Sequence, residues 1–255
     1  MLLAAPASAR ADDPALLERF RPVYVQDSRD RHAVAGVRRT RPASYGRAVA
    51  APGGGRWLQY WRWHVFNAQD RGIVRSGRHE GDWELVQVRV DRDGRPVEAV
   101  YAQHSGAERC GWSSVRTRGG TPVAFLANGS HAAYFVPGVR DRTFPDPNDE
   151  ADGRGRALRP RLVVVSAREP AWMRFAGRWG DSRAGWPFEQ SSPRGPAFQG
   201  VRWDDPGAFA ASARGCMAGR CDEVGECDGR EWALAGALAL LGLALAAAGR
   251  WRLQS

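Results

Sequence analysis

The sequence contains no lysine and a single isoleucine, Ile73, in 255 residues. All 37 basic residues are therefore arginine, and with 30 glycines and 16 prolines this composition is typical of a GC-rich, bacterial genome. The formal net charge of +9 thus reflects codon usage in part. Because the arginines are scattered and no nucleic-acid-binding motif occurs, we expect no nucleic-acid partner.

Three common catalytic signatures are also missing. The chain has no Gly-x-Ser-x-Gly elbow, no phosphate-binding P-loop and no dinucleotide fingerprint. Their absence argues against hydrolysis by a serine triad and against nucleotide chemistry. Tryptophan, by contrast, is abundant, and its 11 copies supply rigid surface for a core or a cleft.

The two ends of the chain predict an exported protein that is anchored in the cell membrane. Residues 232–249 form an uncharged 18-residue run, near the minimum for a membrane-spanning helix, and Arg250 and Arg252 follow it. By the positive-inside rule, the short tail 250–255 is cytoplasmic and the large domain lies outside. A buried core helix is the alternative for this run. Residues 1–11 resemble the end of an export signal.

The four cysteines fit a chain exported from the cytoplasm. Cys216, Cys221 and Cys227 are grouped in a linker, residues 213–231, and Cys110 lies far from them. An even number of cysteines in an oxidising compartment predicts two disulfides, in any of three connectivities. A zinc site is the alternative, although the spacing does not match the usual paired knuckles.

Residues 12–212 are predicted to form one mainly β domain. Short alternating or aromatic segments are separated by Gly- and Pro-rich turns, and few helical patterns occur. Strands are expected at residues 56–66, 84–90, 96–104, 122–127 and 162–166. This pattern favours an antiparallel β-sandwich with long irregular loops, followed by the C-terminal transmembrane helix.

The segment His79-Glu80-Gly81-Asp82-Trp83-Glu84 is the strongest candidate for a chemical site. Because side chains alternate along a strand, Asp82 and Glu84 share one face, and Trp83 lies on the other as an expected core residue. Two neighbouring carboxylates repel each other and are stabilised by a shared proton, an arginine or a cation. A strand end paired with Arg78 is the alternative.

Residues 91–95 predict a hairpin turn that decides where His104 lies. A two-residue Asp-Gly turn would leave His104 opposite Trp83. A type I turn with a bulge at Gly94 would place His104 opposite Asp82, on the same face. We favour the second, because Asp suits the first position of a type I turn and Gly the fourth.

Four motifs occur in an order that resembles the vacuolar protein sorting-associated protein 62 family. They are His79-Glu80-Gly81-Asp82-Trp83-Glu84, Gln103-His104-Ser105-Gly106, Asn128-Gly129-Ser130-His131-Ala132 and Gly177-Arg178-Trp179-Gly180-Asp181. The resemblance covers about residues 56–205. It implies little mechanism, because the biochemical role of that family is poorly defined.

The tripeptide Asp82-Trp83-Glu84 also resembles the Gly-His-Arg-His-Asp-Trp-Glu heptapeptide of the necrosis and ethylene-inducing peptide-like toxins. Those toxins are β-sandwiches with a divalent cation in a charged cavity. The resemblance implies that His79, Asp82 and Glu84 bind a cation, with Asp70 as a weaker candidate ligand. Such an oxygen-rich set favours Mg²⁺, Ca²⁺ or Mn²⁺. The toxins' second histidine corresponds to a glycine here, so the resemblance does not extend to cytolytic activity.

These observations predict an extracellular domain whose cation site recognises a polar surface ligand, either a glycan or a lipid head group. A metal-dependent hydrolase of phosphoester or glycan substrates is one alternative, with His104 or His131 as the general base. Each of these histidines also suits a purely structural role at a strand end or turn. A structural envelope protein, in which the carboxylates hold loops together, is the other alternative.

Overall fold

The computed structural model describes residues 13–32, 34–37, 40–69, 77–142, 147–166, 169–181, 191–218, 220–221 and 240. Among these residues, no helix has both the length and the apolar character needed to cross a membrane. Several predictions lie outside the described residues: the export signal 1–11, Asp70, Cys227 and, apart from Leu240, the candidate membrane helix 232–249.

The described part of the chain is mainly β, as predicted. Its α-helices are α1 (Pro14–Arg19), α2 (Val201–Asp204) and α3 (Pro206–Ser212), and 3₁₀ turns lie at Trp112–Ser114, Ala171–Arg174 and Pro196–Phe198. Its strands are β1 (Val23–Val25), β2 (Val34–Ala35), β3 (Ala43–Ala50), β4 (Arg56–Asn67), β5 (His79–Val90), β6 (Pro96–Gln103), β7 (Gly106–Gly111), β8 (Thr117–Arg118), β9 (Thr121–Leu126), β10 (Ala133–Tyr134), β11 (Gly138–Arg140), β12 (Asp149–Ala151), β13 (Ala157–Leu158), β14 (Arg161–Val164) and β15 (Arg220–Cys221).

The strands of the described residues form three sheets. The largest has the order β14-β3-β4-β5-β6-β7, with β2 beside β4. A second sheet has the order β10-β9-β1-β13, with β8 beside β9, and a small third sheet joins β12, β11 and β15. The prediction of a purely antiparallel fold is wrong, because β14 is parallel to β3 and β1 is parallel to β9. Both pairs join segments far apart in sequence, as parallel pairing requires.

Strands β4 and β5 are buried on both faces. On one face Tyr60 and Val86 pack with Tyr24 and Leu126 of the second sheet, in one hydrophobic cluster. On the other face the tryptophans of both strands pack beneath α2 and α3, in a separate cluster. Trp83 belongs to this second cluster and is 2% exposed, so its predicted role as a core residue is confirmed.

The β5–β6 hairpin has the favoured turn. The backbone N–H of Gly94 donates to the carbonyl oxygen of Asp91 (3.1 Å), and the N–H of Asp91 donates to the carbonyl oxygen of Arg95 (2.9 Å). Gly94 has a φ of +73°, the left-handed conformation that glycine adopts most easily. These contacts confirm the type I turn with a bulge at Gly94.

A second irregularity follows the turn. Val90 pairs with Pro96, whereas Arg89 pairs with Glu98, so Val97 is an extra residue in β6. Pro96 has no N–H to donate to the ladder, and bulges are common next to such a residue. The extra residue shifts every later position of β6 by one relative to β5.

One predicted disulfide is present between described residues. Cys110 on β7 is bonded to Cys216, which follows α3. Cys221 is disulfide-bonded as well. The zinc alternative is wrong for these cysteines, since a sulfur in a disulfide is not a thiolate ligand.

Candidate binding cleft with buried carboxylates

A polar cavity of about 300 Å³ opens where β4 ends and β5 begins. Four of the predicted site residues line it: His79, Asp82, Glu84 and His104. Its wall also includes Asn67, Gln69, Gln199 and Arg202. We call this cavity the acidic cleft. It brings together residues far apart in sequence, from Asn67 at the end of β4 to Arg202 on α2.

The β4–β5 ladder sets the positions of the two carboxylates. Asp82 pairs with His64, and Glu84 pairs with Arg62. Opposite residues of an antiparallel pair have their side chains on the same face, so each carboxylate lies beside a nitrogen-bearing side chain. The predicted separation of both carboxylates from Trp83 is therefore confirmed.

Glu84 is a buried carboxyl group with little compensation. It is 5% exposed, and its Oε2 atom has no hydrogen-bond partner among the described residues. The nearest cation is the buried guanidinium of Arg62, with Nη2 3.9 Å from Oε2. Burial, followed by the charge of Asp82, raises the pKa of Glu84 well above its usual range, and Arg62 offsets this only in part.

The pKa of Asp82 is shifted in the opposite direction to that of Glu84. Burial alone would raise its pKa, but the hydrogen bond from His131, the charges of His79 and His131 and the hydrogen bond from Asn67 together lower it. Asn67 Nδ2 donates to Asp82 Oδ2 at 3.1 Å, and His131 Nδ1 lies 3.4 Å from the same oxygen. The pKa values of the two neighbouring carboxyl groups are thus shifted in opposite directions, with that of Asp82 lowered and that of Glu84 raised.

His131 stabilises the ionised Asp82 from behind the cleft. Its ring is fully buried, with Nδ1 3.4 Å from Asp82 Oδ2 and Nε2 3.3 Å from Asp30 Oδ2. Burial alone would lower the pKa of His131, but these two carboxylates outweigh it and raise the pKa to about 9. A ring whose two nitrogens both face carboxylate oxygens is the doubly protonated imidazolium.

His64 is the neutral neighbour of this imidazolium. Its ring stacks on His131 with centroids 3.8 Å apart and an interplanar angle of 13°. Arg62 Nε donates to His64 Nε2 at 3.1 Å, and His64 Nδ1 donates to the carbonyl of His32 at 3.4 Å. Burial, with the charges of His131 and Arg62, lowers the pKa of His64 well below its usual range. His64 is therefore a packed histidine beside the site, 0% exposed.

His79 lines the cleft with its ring held by one hydrogen bond. Its Nδ1 donates to the carbonyl oxygen of Gly81 at 2.8 Å, because a carbonyl oxygen can only accept. Gly81 has a φ of +67°, and a Cβ there would lie 2.1 Å from the Trp63 ring and 2.2 Å from the Trp179 carbonyl. No histidine fits at Gly81, the position of the toxins' second histidine.

His104 lines the cleft but does not lie opposite Asp82. The extra residue Val97 gives β6 the register in which His104 falls opposite Trp83, so that prediction is wrong. His104 follows the last residue of β6, has a φ of +52°, and places Nε2 2.5 Å from Asp149 Oδ2. Asp149 also accepts hydrogen bonds from Ser130 and Tyr134.

Several residues of this site were not predicted from the sequence. Asp30 and Asp149 lie in stretches without a periodic pattern and reach the site only through tertiary structure. Asn67 is different, because β4 extends one residue beyond the predicted strand 56–66 and ends on it. Extending the strand pairing would have placed Asn67 opposite His79.

The cation ligands His79, Asp82, Glu84 and Asp70 stay a prediction. Among the described residues, no three His, Cys, Asp or Glu side chains stand close enough together to hold a metal ion between them. His79, Asp82 and Glu84 nevertheless line one cavity. The fourth candidate, Asp70, lies outside the described residues.

Comparison with known proteins gave matches only among solved structures; no family model and no curated protein matched. "NLPPya in complex with mannosamine" is 16% identical over 64% of this chain and 77% of that chain, with a TM-score of 0.38. "Toxin fold for microbial attack and plant defense" is 16% identical over 59% and 72%, with a TM-score of 0.41. "Crystal structure of non-toxic HaNLP3 protein" is 13% identical over 59% and 73%, with a TM-score of 0.39.

These structures include members of the toxin class that Asp82-Trp83-Glu84 resembles. Identities and TM-scores this low do not assign a family or an activity to the chain. The resemblance to the vacuolar protein sorting-associated protein 62 family stays a prediction, since no family model matched.

Proposed function

We propose that the acidic cleft is a cation-assisted binding site for a hydroxyl-rich polar ligand, a glycan or a lipid head group. The observation that carries this proposal is the buried Glu84, whose Oε2 has no hydrogen-bond partner within the described part of the chain and lies beside the ionised Asp82. A buried carboxylate without a partner is costly, so Glu84 must hold either a proton or a cation.

The donor set suits a hard divalent cation. Two carboxylates and the Nε2 of His79 are ligands that Mg²⁺, Ca²⁺ and Mn²⁺ accept. These ions commonly keep water or substrate oxygens in their coordination shell, so a compact group of three protein ligands is not required. When bound, the cation would neutralise Asp82 and Glu84 and offer coordination positions to ligand oxygens.

The remainder of the cleft suits a ligand with many hydroxyl groups. Gln69, Gln199 and Arg202 bring amide and guanidinium groups to the wall. A sugar hydroxyl both donates and accepts, so it can satisfy either kind of group. A cavity of about 300 Å³ falls at the small end of ligand sites, which fits one sugar ring.

The proposal includes a location outside the cell membrane. It rests on the apolar run 232–249, with arginines after it, and on the small-residue pattern within 1–11. The Cys110–Cys216 disulfide supports an oxidising compartment. The cleft would then face ligands on or near the cell surface.

Calorimetry on the purified full-length protein tests the cation. We expect Ca²⁺, Mg²⁺ or Mn²⁺ to bind with release of one proton, because the cation replaces the proton on Glu84. Glu84→Gln keeps the shape and removes the ionisable group, so it should weaken binding by at least tenfold. Glu98→Gln is the control, because Glu98 pairs with Arg109 on the same sheet and does not line the cleft.

Equal cation affinity in the wild type and Glu84→Gln would contradict the proposal, as would no binding at millimolar concentration. Glu84→Gln should fold normally, since the carboxyl it replaces is neutral in the cation-free protein. A melting temperature at or above that of the wild type checks this point.

The structure gives the hydrolase alternative less support. His131 is fully buried and its high pKa keeps it protonated, so it is not available as a base. His104 lines the cleft, but its Nε2 is engaged by Asp149. A general base must reach the substrate proton directly or through one water molecule.

A further inference from the structure

A second polar cavity adjoins the acidic cleft. It measures about 290 Å³ and shares His104, Ser105 and Arg142 with the cleft. Gly106, at the start of β7, lines this second cavity but not the cleft. We call it the neighbouring pocket. It is nearly the same size as the acidic cleft, so it has room for about one more sugar ring.

The guanidinium groups of the neighbouring pocket are matched by carboxyl groups. Arg140 Nε lies 3.5 Å from Glu108 Oε1, and the charge of Arg214 acts on the same carboxyl group. The charge of Arg142 acts on Asp149. Such a wall suits a neutral ligand with many hydroxyl groups better than an anion, because a hydroxyl group both donates and accepts hydrogen bonds.

His104 lies in the wall that the two cavities share, and it is held at two points. Its ring Nε2 is 2.5 Å from Asp149 Oδ2, and its backbone carbonyl oxygen accepts a hydrogen bond from Arg202 of α2. Its backbone φ is +52°, a conformation that few residues other than glycine adopt. A side chain fixed in this way loses little freedom when a ligand binds.

Asp149 determines which nitrogen of His104 is left for a ligand. Burial alone would raise the pKa of Asp149, but the charge and hydrogen bond of His104, the charge of Arg142 and the hydrogen bond from Tyr134 together lower it. Asp149 also accepts from Ser130 Oγ at 2.7 Å. A carboxylate only accepts, so Nε2 of His104 donates to it. Nδ1 has no hydrogen-bond partner in the described part of the chain, and the side chain is 21% exposed.

We propose that the acidic cleft and the neighbouring pocket are two subsites of one site, that His104 contacts the ligand where they meet, and that the ligand is a neutral oligosaccharide of at least two sugar residues. A sugar hydroxyl can accept from Nδ1 or donate to it. The inference rests on the proposed function, because the first sugar residue occupies the acidic cleft. Two linked sugars bind more tightly than one, since the second binding event becomes intramolecular.

Calorimetry on the full-length protein, with Ca²⁺ present, tests the second subsite. Glucose, mannose and N-acetylglucosamine are each compared with a disaccharide that contains them: lactose, mannobiose and chitobiose. We expect at least one disaccharide to bind the wild type tenfold or more tightly than its monosaccharide.

A side chain added at Gly106 should remove this gain and leave monosaccharide binding unchanged. The nearest atom to a Cβ at Gly106 is the carbonyl oxygen of Gln103, at 3.7 Å, so Gly106→Leu can be accommodated. Gly111→Leu is the matched control, because Gly111 ends the same strand, has no atom within 4 Å of its added Cβ and lines neither cavity.

His104→Gln tests the contact between the subsites. Glutamine keeps an amide that can donate to Asp149 but has no counterpart of Nδ1. We expect the disaccharide to bind about tenfold more weakly, the effect of one hydrogen bond, at a temperature where circular dichroism shows the variant folded. Unchanged disaccharide affinity in this variant would contradict the role of His104.

The second subsite and the cation site can fail separately. Equal affinity for mono- and disaccharides, no sugar binding up to about 10 mM, or equal losses in Gly106→Leu and Gly111→Leu would overturn the second subsite. None of these results changes the cation titration of Glu84→Gln, which tests the cleft alone.

Vesicles distinguish a free glycan from the head group of a glycolipid. Phosphatidylcholine vesicles that contain lactosylceramide are compared with vesicles that contain glucosylceramide. Retention on the lactosylceramide vesicles that is lost in Gly106→Leu supports the second subsite and assigns a lipid source. Binding of a soluble disaccharide without retention on vesicles supports the second subsite and assigns a free glycan.

Discussion

The imidazolium of His131 is the part of the site whose removal has the clearest expected effect. We choose His131→Asn, because His131 has a φ of +59° and asparagine tolerates that left-handed conformation better than most residues. The substitution removes the positive charge between Asp30 and Asp82 but leaves a polar side chain that can donate to either carboxylate.

The magnitude follows from the pKa of His131. It rises from 6.5 in a model compound to about 9 in the folded protein, and each unit corresponds to about 1.4 kcal/mol. The charged ring therefore contributes about 3 kcal/mol to the free energy of unfolding when it is fully protonated in both states. The ring is fully buried, so solvent screening does not reduce this contribution.

The pH range in which this contribution is lost follows from its sign. A group whose pKa is raised by folding stabilises the folded state fully below its unfolded pKa, near 6.5. The contribution is lost as the pH rises from there through about 9, the folded pKa. Urea denaturation at pH 6, 7, 8, 9 and 10, with the disulfides intact, measures the free energy of unfolding across this range.

The raised pKa of Glu84 also makes the free energy of unfolding fall as the pH rises, in the wild type and in His131→Asn alike. The difference in this free energy between the two proteins therefore isolates the effect of His131. We expect the wild type to be more stable by about 3 kcal/mol at pH 6 and to lose most of that advantage by pH 10. Asp30→Asn, which removes one of the two carboxylates, should show a smaller pH dependence. A difference in the free energy of unfolding that is the same at pH 6 and pH 10 would refute the conclusion that His131 is a charged imidazolium.

Two further predictions concern the scaffold. Gly81→Ala should lower the free energy of unfolding by at least about 2 kcal/mol, because the added Cβ overpacks against the Trp63 ring and the φ is +67°. Gly53→Ala is the control, with a φ of +75° and open space around the added Cβ, and should lower it by only about 1 kcal/mol. Similar losses for the two variants in urea denaturation would contradict the packing argument. Replacing Cys110 and Cys216 together by alanine should lower the free energy of unfolding by about 4 kcal/mol, because their disulfide spans 106 residues of sequence. A decrease below about 1 kcal/mol would contradict this stabilising role of the disulfide.

The predictions from sequence that succeeded depend on local chemistry. The alternation along β5 placed Asp82 and Glu84 on one face and Trp83 on the other, because side-chain direction follows from backbone geometry alone. The turn at Gly94 was likewise predictable, since residue preferences at its positions act over four residues. Each of these inferences needed no knowledge of which strand lies next to which.

The predictions that failed depend on long-range pairing. The parallel pairing of β1 with β9 joins residues about a hundred positions apart and leaves no mark in the periodicity of either strand. The position of His104 failed for a subtler reason. The turn was right, but the extra residue Val97 shifted the register by one, and a shift of one exchanges the faces of a strand.

The tripeptide Asp82-Trp83-Glu84 supplies the candidate ligands, but residues outside it set their charge. Asp82 is ionised because His131 and Asn67 reach its Oδ2, and His131 is charged because Asp30 reaches it from a loop without pattern. Burial raises the pKa of Glu84, because no comparable partner among the described residues reaches its Oε2. Two chains with the same tripeptide can therefore differ in whether they bind a cation at neutral pH, and the partners of the tripeptide decide which of them does.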